Sequence, residues 1–491
     1  MYKRRDFIKE TLIAGLGITL LPEMVLAKMP DFEYMSMRPP LADRRFVSKA
    51  VEKKIVEVSK KIKDIELAWL FNNCFPNTLD TTVFTSVKDN KPDTYIITGD
   101  IDAMWLRDSS AQVWPYLPLM KEDRKLELMI AGVINRHAYY VLIDPYANAF
   151  FNDKVRKGHN DQTVMKPGVH ERKWEVDSLC YVIRLAYGYW KQSADKSCFD
   201  STWLKAMKEI VSTFKNQQRK DNNGSYNFKR VTNRPTDTAA GNGSGAPVNP
   251  VGLIASVFRP SDDGTVFPFL IPSNYFAVVS LRQLAEIVEM QFQEKTFSSD
   301  CLQLANEVEK ALKEYAVINH KNAGEILAYE IDGFGGCYLI DDSNIPSLLS
   351  LPYLGAIGLD NPLYKNTRKF LLTLGNQPYY AEGKVAKGIT GPHVERDMIW
   401  PMSIIMRGLT SNDEMEIKQC IDMLKRSHGG TGFMHEAFYK DDATKFTRKW
   451  FAWANTLFGE FIIKLSVERP HFLVDNLWAK RQEYRQVYAG K

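Results

Sequence analysis

The chain has no run of five or six basic residues, and its net charge of +5 is spread along 491 residues. Nucleic acid is therefore not an expected partner. None of the six cysteines stands in a CxxC pair, so the signatures of a zinc site and of a thioredoxin-like redox centre are missing. In a chain of this length they do not look like a disulfide framework, and they read as buried free thiols acting as small hydrophobes. There is no nucleotide-binding motif and no fixed short period, which removes the ordinary repeat solenoid. Past the first thirty residues no stretch is long and apolar enough to span a bilayer.

What is present begins with an unusual N-terminus. Lys3, Arg4 and Arg5 precede an apolar stretch from Leu12 to Leu21, which closes on the small-residue pattern Val25-Leu26-Ala27. This is the order of an export signal, and the stretch is too short for a stable membrane span. "RRDFIK" resembles the twin-arginine type, which carries proteins already folded. Residues 1–27 are thus expected to be a removable leader to the periplasm or beyond. Residues 28–45, with Pro30, Pro39 and Pro40, read as a linker, and 46–491 as one domain.

Within that domain, apolar residues recur at three- and four-residue intervals in 45–75, 175–193, 274–292, 301–318, 413–428 and 450–468. Each is the mark of a helix with a buried face. Loops rich in Gly, Pro, Asn and Asp separate them, such as "GNGSGAPVNPVG" and "DDSNIPSLLSLPYLG". "DTYIIT" and "EILAYEID" have strand character and read as accessory hairpins. An all-α architecture with short hairpins in its loops is expected.

Four loop clusters hold the unusual chemistry. In "TGDIDAMWLRDSSAQVWPY", Asp100, Asp102, Arg107 and Asp108 surround Trp105, and flat apolar faces beside bidentate polar groups suit a polyhydroxylated ligand. In "FRPSDDGTVFPFLIPSNYF", Arg259, Asp262 and Asp263 lie among phenylalanines. Desolvation and like-charge repulsion would raise a carboxyl pKa there, as a general acid requires, although "PSDD" before a helical segment is also cap chemistry. "GGTGFMHEAFYKDDATKFTRKWFAWAN" sets His435 and Glu436 among aromatics ahead of Arg448. Tyr439 stands where an HExxH zinc motif needs its second histidine, so no metal is expected. "KGITGPHVERDMIWP" carries His393, Glu395, Arg396, Asp397 and Trp400.

Two carboxylates in separate aromatic-lined loops fit glycoside hydrolysis, in which one protonates the departing oxygen and the other activates water or attacks the anomeric carbon. A glycan-binding protein that does not cleave would also use the aromatics, though not acids divided between two loops.

The long motifs "NCFPNTLDTTV", "TGDIDAMWLRDSSAQV", "LIDPYANAF", "ERKWEVDSLCYVIRLAY", "FRPSDD", "DDSNIPSLLSLPYL", "TRKFLL", "GTGFMHEAF" and "DDATKFTRKWFAWANTLF" occur in this order. Through them the sequence resembles glycoside hydrolase family 125, the exo-acting α-1,6-mannosidases, from about Val47 to about Leu465. The resemblance implies an (α/α)6 barrel and an inverting mechanism needing neither metal nor cofactor. The implied substrate is a mannose-containing oligosaccharide or N-glycan. It places the general base at Glu436 and the acid in "RPSDD", with Asp262 favoured and Asp263 as the fallback. Trp105, Arg107, Asp108, Arg259, His393 and His435, with Asp263 beside the acid, are then expected around the terminal sugar. Another (α/α)6 exo-glycosidase with a different sugar or linkage preference remains open at this point.

Overall fold

The computed structural model describes residues 34–474, so the expected leader at 1–27 lies outside the described residues. One compact unit begins at Ser36. Part of the stretch expected as linker is packed within it. Arg38 is bidentate on both Glu52 and Asp80, and the backbone N–H of Arg45 donates to the Asp80 carbonyl at 3.0 Å.

The expected helices are present, with shifted ends. The 45–75 segment is two helices, Lys49–Ser59 and Ile65–Cys74, because Asp64 breaks the run and caps the second by accepting from the Leu67 N–H at 2.9 Å. Helices Val176–Ser193, Ile271–Phe292, Glu414–Ser427 and Ala452–Glu468 follow the periodicity closely. The 301–318 segment lies in Lys295–Tyr315, and Val317 already begins a strand.

These helices fall into two kinds. Val176–Ser193, Ile271–Phe292, Pro401–Leu409 and Ala452–Glu468 are buried on nearly every face. Lys49–Ser59, Ser201–Gln217, Lys295–Tyr315 and Glu414–Ser427 bury one stripe and expose the other. The second kind packs outside the first: Lys295–Tyr315 on Ile271–Phe292, and Glu414–Ser427 on Pro401–Leu409. Two-layer helical packing of this sort places the core between an inner and an outer set.

The strands form small sheets of two or three strands among the described residues, as accessory hairpins should. In the hairpin Val83–Lys88/Lys91–Ile96, Asp89 and Asn90 both have positive φ (52° and 60°), the two-residue turn whose twist matches the strands. Three of the buried helices are each entered from a two-residue strand: Met104–Trp105 before Leu106–Val113, Phe269–Leu270 before Ile271–Phe292, and Met398–Ile399 before Pro401–Leu409. The sheets thereby fix the backbone at one end of the inner helices.

All six cysteines are free, and five of them are buried. Among the described residues no helix is long and apolar enough to cross a membrane.

The inner packing leaves little slack. A Cβ on Gly459 would lie 2.5 Å from Phe75 Cδ2 and 3.0 Å from the Phe75 Cα. Alanine is the better helix former by about 1 kcal/mol, but backbone cannot move aside as a side chain can, and overpacking costs about 1–3 kcal/mol. Gly459→Ala is expected to lower stability by up to about 2 kcal/mol on balance. Urea unfolding would show this as a lower midpoint at unchanged slope, and a raised midpoint would contradict the packing argument.

Candidate active site

The stretch 98–116 is not one loop. Trp105 ends a short strand, and Leu106–Val113 is a helix in which all eight residues are buried. Arg107 and Asp108 therefore project from a first helical turn, a fixed position. The Arg107 guanidinium meets four carboxylates: Glu175 at 2.5 Å, Asp262 at 3.2 Å, Asp108 at 3.4 Å and Asp177 at 3.5 Å. A cation so surrounded is what allows these acids to lie beneath the surface.

Asp262 occupies the tip of a tight turn. Its N–H donates to the Arg259 carbonyl at 2.9 Å, the Arg259 N–H donates to the Asp263 carbonyl at 2.8 Å, and Asp262 itself has φ +64°. A left-handed non-glycine residue costs of order 1–3 kcal/mol. Donors hold it there: Arg107 Nη2 and Asn148 Nδ2 each lie 3.2 Å from Oδ1, and Lys173 Nζ lies 2.7 Å from the main-chain carbonyl. The side chain of Asp262 is 23% exposed, and that of Asp263 is 4%. The turn thus offers the first acid and withdraws the second, which faces His393 Nδ1 at 3.7 Å.

Glu436 lies on the opposite loop. Thr447 Oγ1 donates to its Oε2 at 2.9 Å, and Arg448 Nη1 lies 3.3 Å from Oε1. Arg448 also pairs with Asp100 and donates to the Thr98 carbonyl at 3.0 Å, tying this loop to the first cluster. Asn455, on the helix Ala452–Glu468, fixes the approach by accepting from the Met434 N–H at 2.8 Å.

Asp262 and Glu436 line one cavity of about 370 Å³, together with Trp105, Arg107, Asp108, His393, Trp400 and Arg448. A wider cleft of about 1000 Å³, lined by Tyr146, Lys215, Lys220 and Glu307 among others, shares no lining residue with it. We place the site in the smaller cavity because its polar groups are incomplete. Trp105 Nε1 and Trp400 Nε1 are buried without a hydrogen-bond partner. Buried polar atoms are nearly always satisfied, so two unsatisfied donors beside one cavity point to a ligand that brings acceptors, as hydroxyls do.

The electrostatics differ from the expectation of a raised acid. Burial alone would push the Asp262 carboxyl up, but Arg107, Lys173 and a hydrogen bond with Glu175 outweigh it and hold it below the usual range. Burial raises Glu175 well above the usual range, with Arg107 opposing and Asp262 and Asp177 adding repulsion. Asp177, likewise buried, is pushed up to about 6. Burial would lower His393, yet Asp263 foremost, with Glu436 and Asp262, raises it to about 9, so its imidazole is a cation at neutral pH.

Three residues expected around the sugar do not line the cavity. Arg259 is 1% exposed and lies 2.6 Å from Glu330. Glu330 in turn accepts from the N–H groups of Val266 and Phe267, so Arg259 braces the turn that carries Asp262. His435 is fully buried, stacks on Phe446 with ring centroids 4.0 Å apart, and directs Nδ1 to the carbonyls of Arg448 and Lys449. Asp263 contacts His393 but does not line the cavity. Sequence reasoning gave no role to Asn148, Lys173, Glu175 or Asp177. Their only signal was membership in the motifs "LIDPYANAF" and "ERKWEVDSLCYVIRLAY". Among the described residues no cluster of three His, Cys, Asp or Glu has the arrangement to hold a metal ion.

A helical frame that brings a carboxylate from each of two loops to one small, incompletely bonded cavity defines a glycoside hydrolase. The profile of the family described as metal-independent alpha-mannosidase (GH125) matches residues 64–463, and the chain belongs to that family. A Schizosaccharomyces pombe protein, described as meiotically up-regulated gene 157 protein, is 41% identical over 458 residues, spanning 89% of this chain and 90% of its own. A Streptococcus pneumoniae metal-independent alpha mannosidase, solved in a non-productive complex with alpha-1,6-mannobiose, is 39% identical. Its TM-score is 0.82, with 87% of this chain and 99% of that one covered. A GH78 rhamnosidase of Bacillus sp. GL1 shares the fold alone, at 9% identity and TM-score 0.50 over 87% of this chain and 36% of its own.

Proposed function

We propose that this α-mannosidase is exo-acting and removes terminal, non-reducing α-1,6-linked mannose from oligosaccharides or N-glycans, with inversion, on an (α/α)6 barrel. One observation carries the reading: Asp262 and Glu436 line the same small cavity from separate loops, and the unsatisfied indole N–H groups of Trp105 and Trp400 belong to its lining residues. The similar Streptococcus pneumoniae enzyme, whose complex holds alpha-1,6-mannobiose and whose description concerns the processing of N-linked glycans, supports the linkage and the substrate class.

In this mechanism Asp262 delivers a proton to the glycosidic oxygen as the bond to the anomeric carbon breaks. Glu436, oriented by Thr447 and Arg448, takes a proton from the water that attacks the opposite face of the ring. Inversion needs room for that water, which sets the carboxyl separation at about 6.5–9.5 Å. Trp105 and Trp400 have free indole N–H groups for the sugar hydroxyls. With residues 1–27 read as a twin-arginine leader, the enzyme works in the periplasm or beyond.

Proton NMR during hydrolysis of α-1,6-mannobiose tests the reading. β-Mannose should appear first and convert to the α anomer by mutarotation, while α-1,2- and α-1,3-mannobiose and an aryl α-glucoside react far more slowly. Initial α-mannose would overturn inversion, and faster release from the glucoside would overturn the sugar assignment.

A further inference from the structure

Glu175 has no part in the mechanism above, yet it lies immediately behind Asp262. The two carboxyls grip the same groups. Arg107 gives Nη1 to Glu175 at 2.5 Å and Nη2 to Asp262 at 3.2 Å, and the Asn148 amide donates to Glu175 Oε1 at 3.4 Å and to Asp262 Oδ1 at 3.2 Å. The carboxyls also lie within hydrogen-bonding reach of each other, a contact that two ionised acids cannot make. Ser178 Oγ donates to Glu175 Oε2 at 2.8 Å and fixes the side chain. Glu175 is 1% exposed, whereas Asp262 opens on the cavity.

The charges around the pair require a retained proton. Arg107 is one cation against four carboxylates. Lys173, the next cation, already serves Asp237 at 2.7 Å and reaches Asp262 through its main-chain carbonyl. Arg230 is occupied by Asp161, Glu171 and Asp237. His393 is paired with Asp263, Arg448 acts on Asp108 while serving Glu436 and Asp100, and His170, Tyr181 and Tyr226 also face the cluster. Buried acids in excess of their cations cannot all ionise.

We propose that Glu175 is a positioning residue that shares one proton with Asp262 and supplies it during glycosidic cleavage. The proposal rests on Asp262 being the general acid. In the resting pair the proton is bonded to Glu175 and donated to Asp262, so Arg107 and Lys173 can stabilise Asp262 as an anion without emptying the site of its proton. As the C1–O bond breaks, its electron pair stays on the leaving oxygen and takes a proton through Asp262. The O–H bond of Glu175 breaks as one to Asp262 forms, and that bond breaks in turn as the same proton passes to the leaving oxygen, which leaves both carboxyls ionised until the pair is reprotonated. Water supplies hydroxide to C1 and its remaining proton to Glu436. Return of that proton through solvent to the Glu175–Asp262 pair restores the enzyme.

The test compares α-1,6-mannobiose, whose departing sugar must be protonated, with 2,4-dinitrophenyl α-mannoside, whose phenolate leaves unaided. Glu175→Gln keeps shape and hydrogen bonds but has no acidic proton to share. Its kcat/KM on mannobiose should fall by about 100-fold or more. That loss should exceed the loss on the aryl mannoside by at least about tenfold, and the alkaline limb of the mannobiose profile should move to lower pH. Equal losses on both substrates with an unmoved pH profile would overturn the proposal, because that is what a structural role produces. Asp262→Asn, measured in parallel, separates the two readings. If it shows no leaving-group discrimination, the acid assignment fails; if it does and Glu175→Gln does not, only the proton-sharing fails. Should circular dichroism show Glu175→Gln unfolded, Glu175→Asp, too short to reach Asp262, is read by the same ratio, and equal losses again overturn the proposal.

Discussion

Glu436→Gln is expected to lower kcat on α-1,6-mannobiose by about a thousandfold or more, with little change in KM. General-base catalysis alone contributes about 10²–10⁴-fold, and an inverting enzyme has no covalent route around a missing base. Glutamine fills the same volume and can still accept the hydroxyl proton of Thr447, which donates to Glu436 at 2.9 Å, so the loop should keep its place. Substrate would still be held by Trp105 and Trp400, which is why binding should survive. Glu436→Ala with azide gives a sharper result. A small anion needs no deprotonation, and in the vacated space it should restore turnover and yield β-mannosyl azide. Intact sugar release by the glutamine variant would remove Glu436 from the mechanism.

Apolar spacing marked long helices of both kinds: Lys295–Tyr315 and Glu414–Ser427, which bury one stripe, and Val176–Ser193, Ile271–Phe292 and Ala452–Glu468, which are buried on nearly every face. Ser201–Gln217, also one-striped, was missed. Leu106–Val113 was hidden because all its residues are buried, charged ones included, and no polar face sets a period. The carboxylates of the site were legible as residue types, but their orientation was not. His435 stacks inward on Phe446 while its neighbour Glu436, at a bend, faces the cavity. Arg259 beside two acids resembled a ligand fork, and its true partner, Glu330, lies 71 residues along the chain. The same distance problem explains the charge state of Asp262. Its sequence neighbour Asp263 suggested repulsion, whereas the dominant opposing charges come from Arg107 and Lys173, which only the fold brings near.

That distinction between the paired aspartates leads to the second large effect. Asp262→Asn is expected to lower kcat/KM on α-1,6-mannobiose by about a thousandfold, and Asp263→Asn by no more than about a hundredfold. Asparagine tolerates positive φ as aspartate does, so the turn at φ +64° should survive and the loss report chemistry rather than folding. Arg107 and Asn148 would keep an oxygen acceptor at Oδ1, but the amide has no acidic proton to deliver. Asp263 acts at one remove, through His393. The histidine is charged at neutral pH because Asp263 raises it to about 9 against the opposing effect of burial. In Asp263→Asn that support is gone, the imidazole loses its proton at lower pH, and the alkaline limb should move down while activity at acidic pH is largely kept. Thermal melting of both variants checks that each is folded. If Asp263→Asn is the inactive one and Asp262→Asn retains most of its rate, the proton donor is the second aspartate of the pair, and the turn must present it to the glycosidic oxygen in a conformation other than the one seen here.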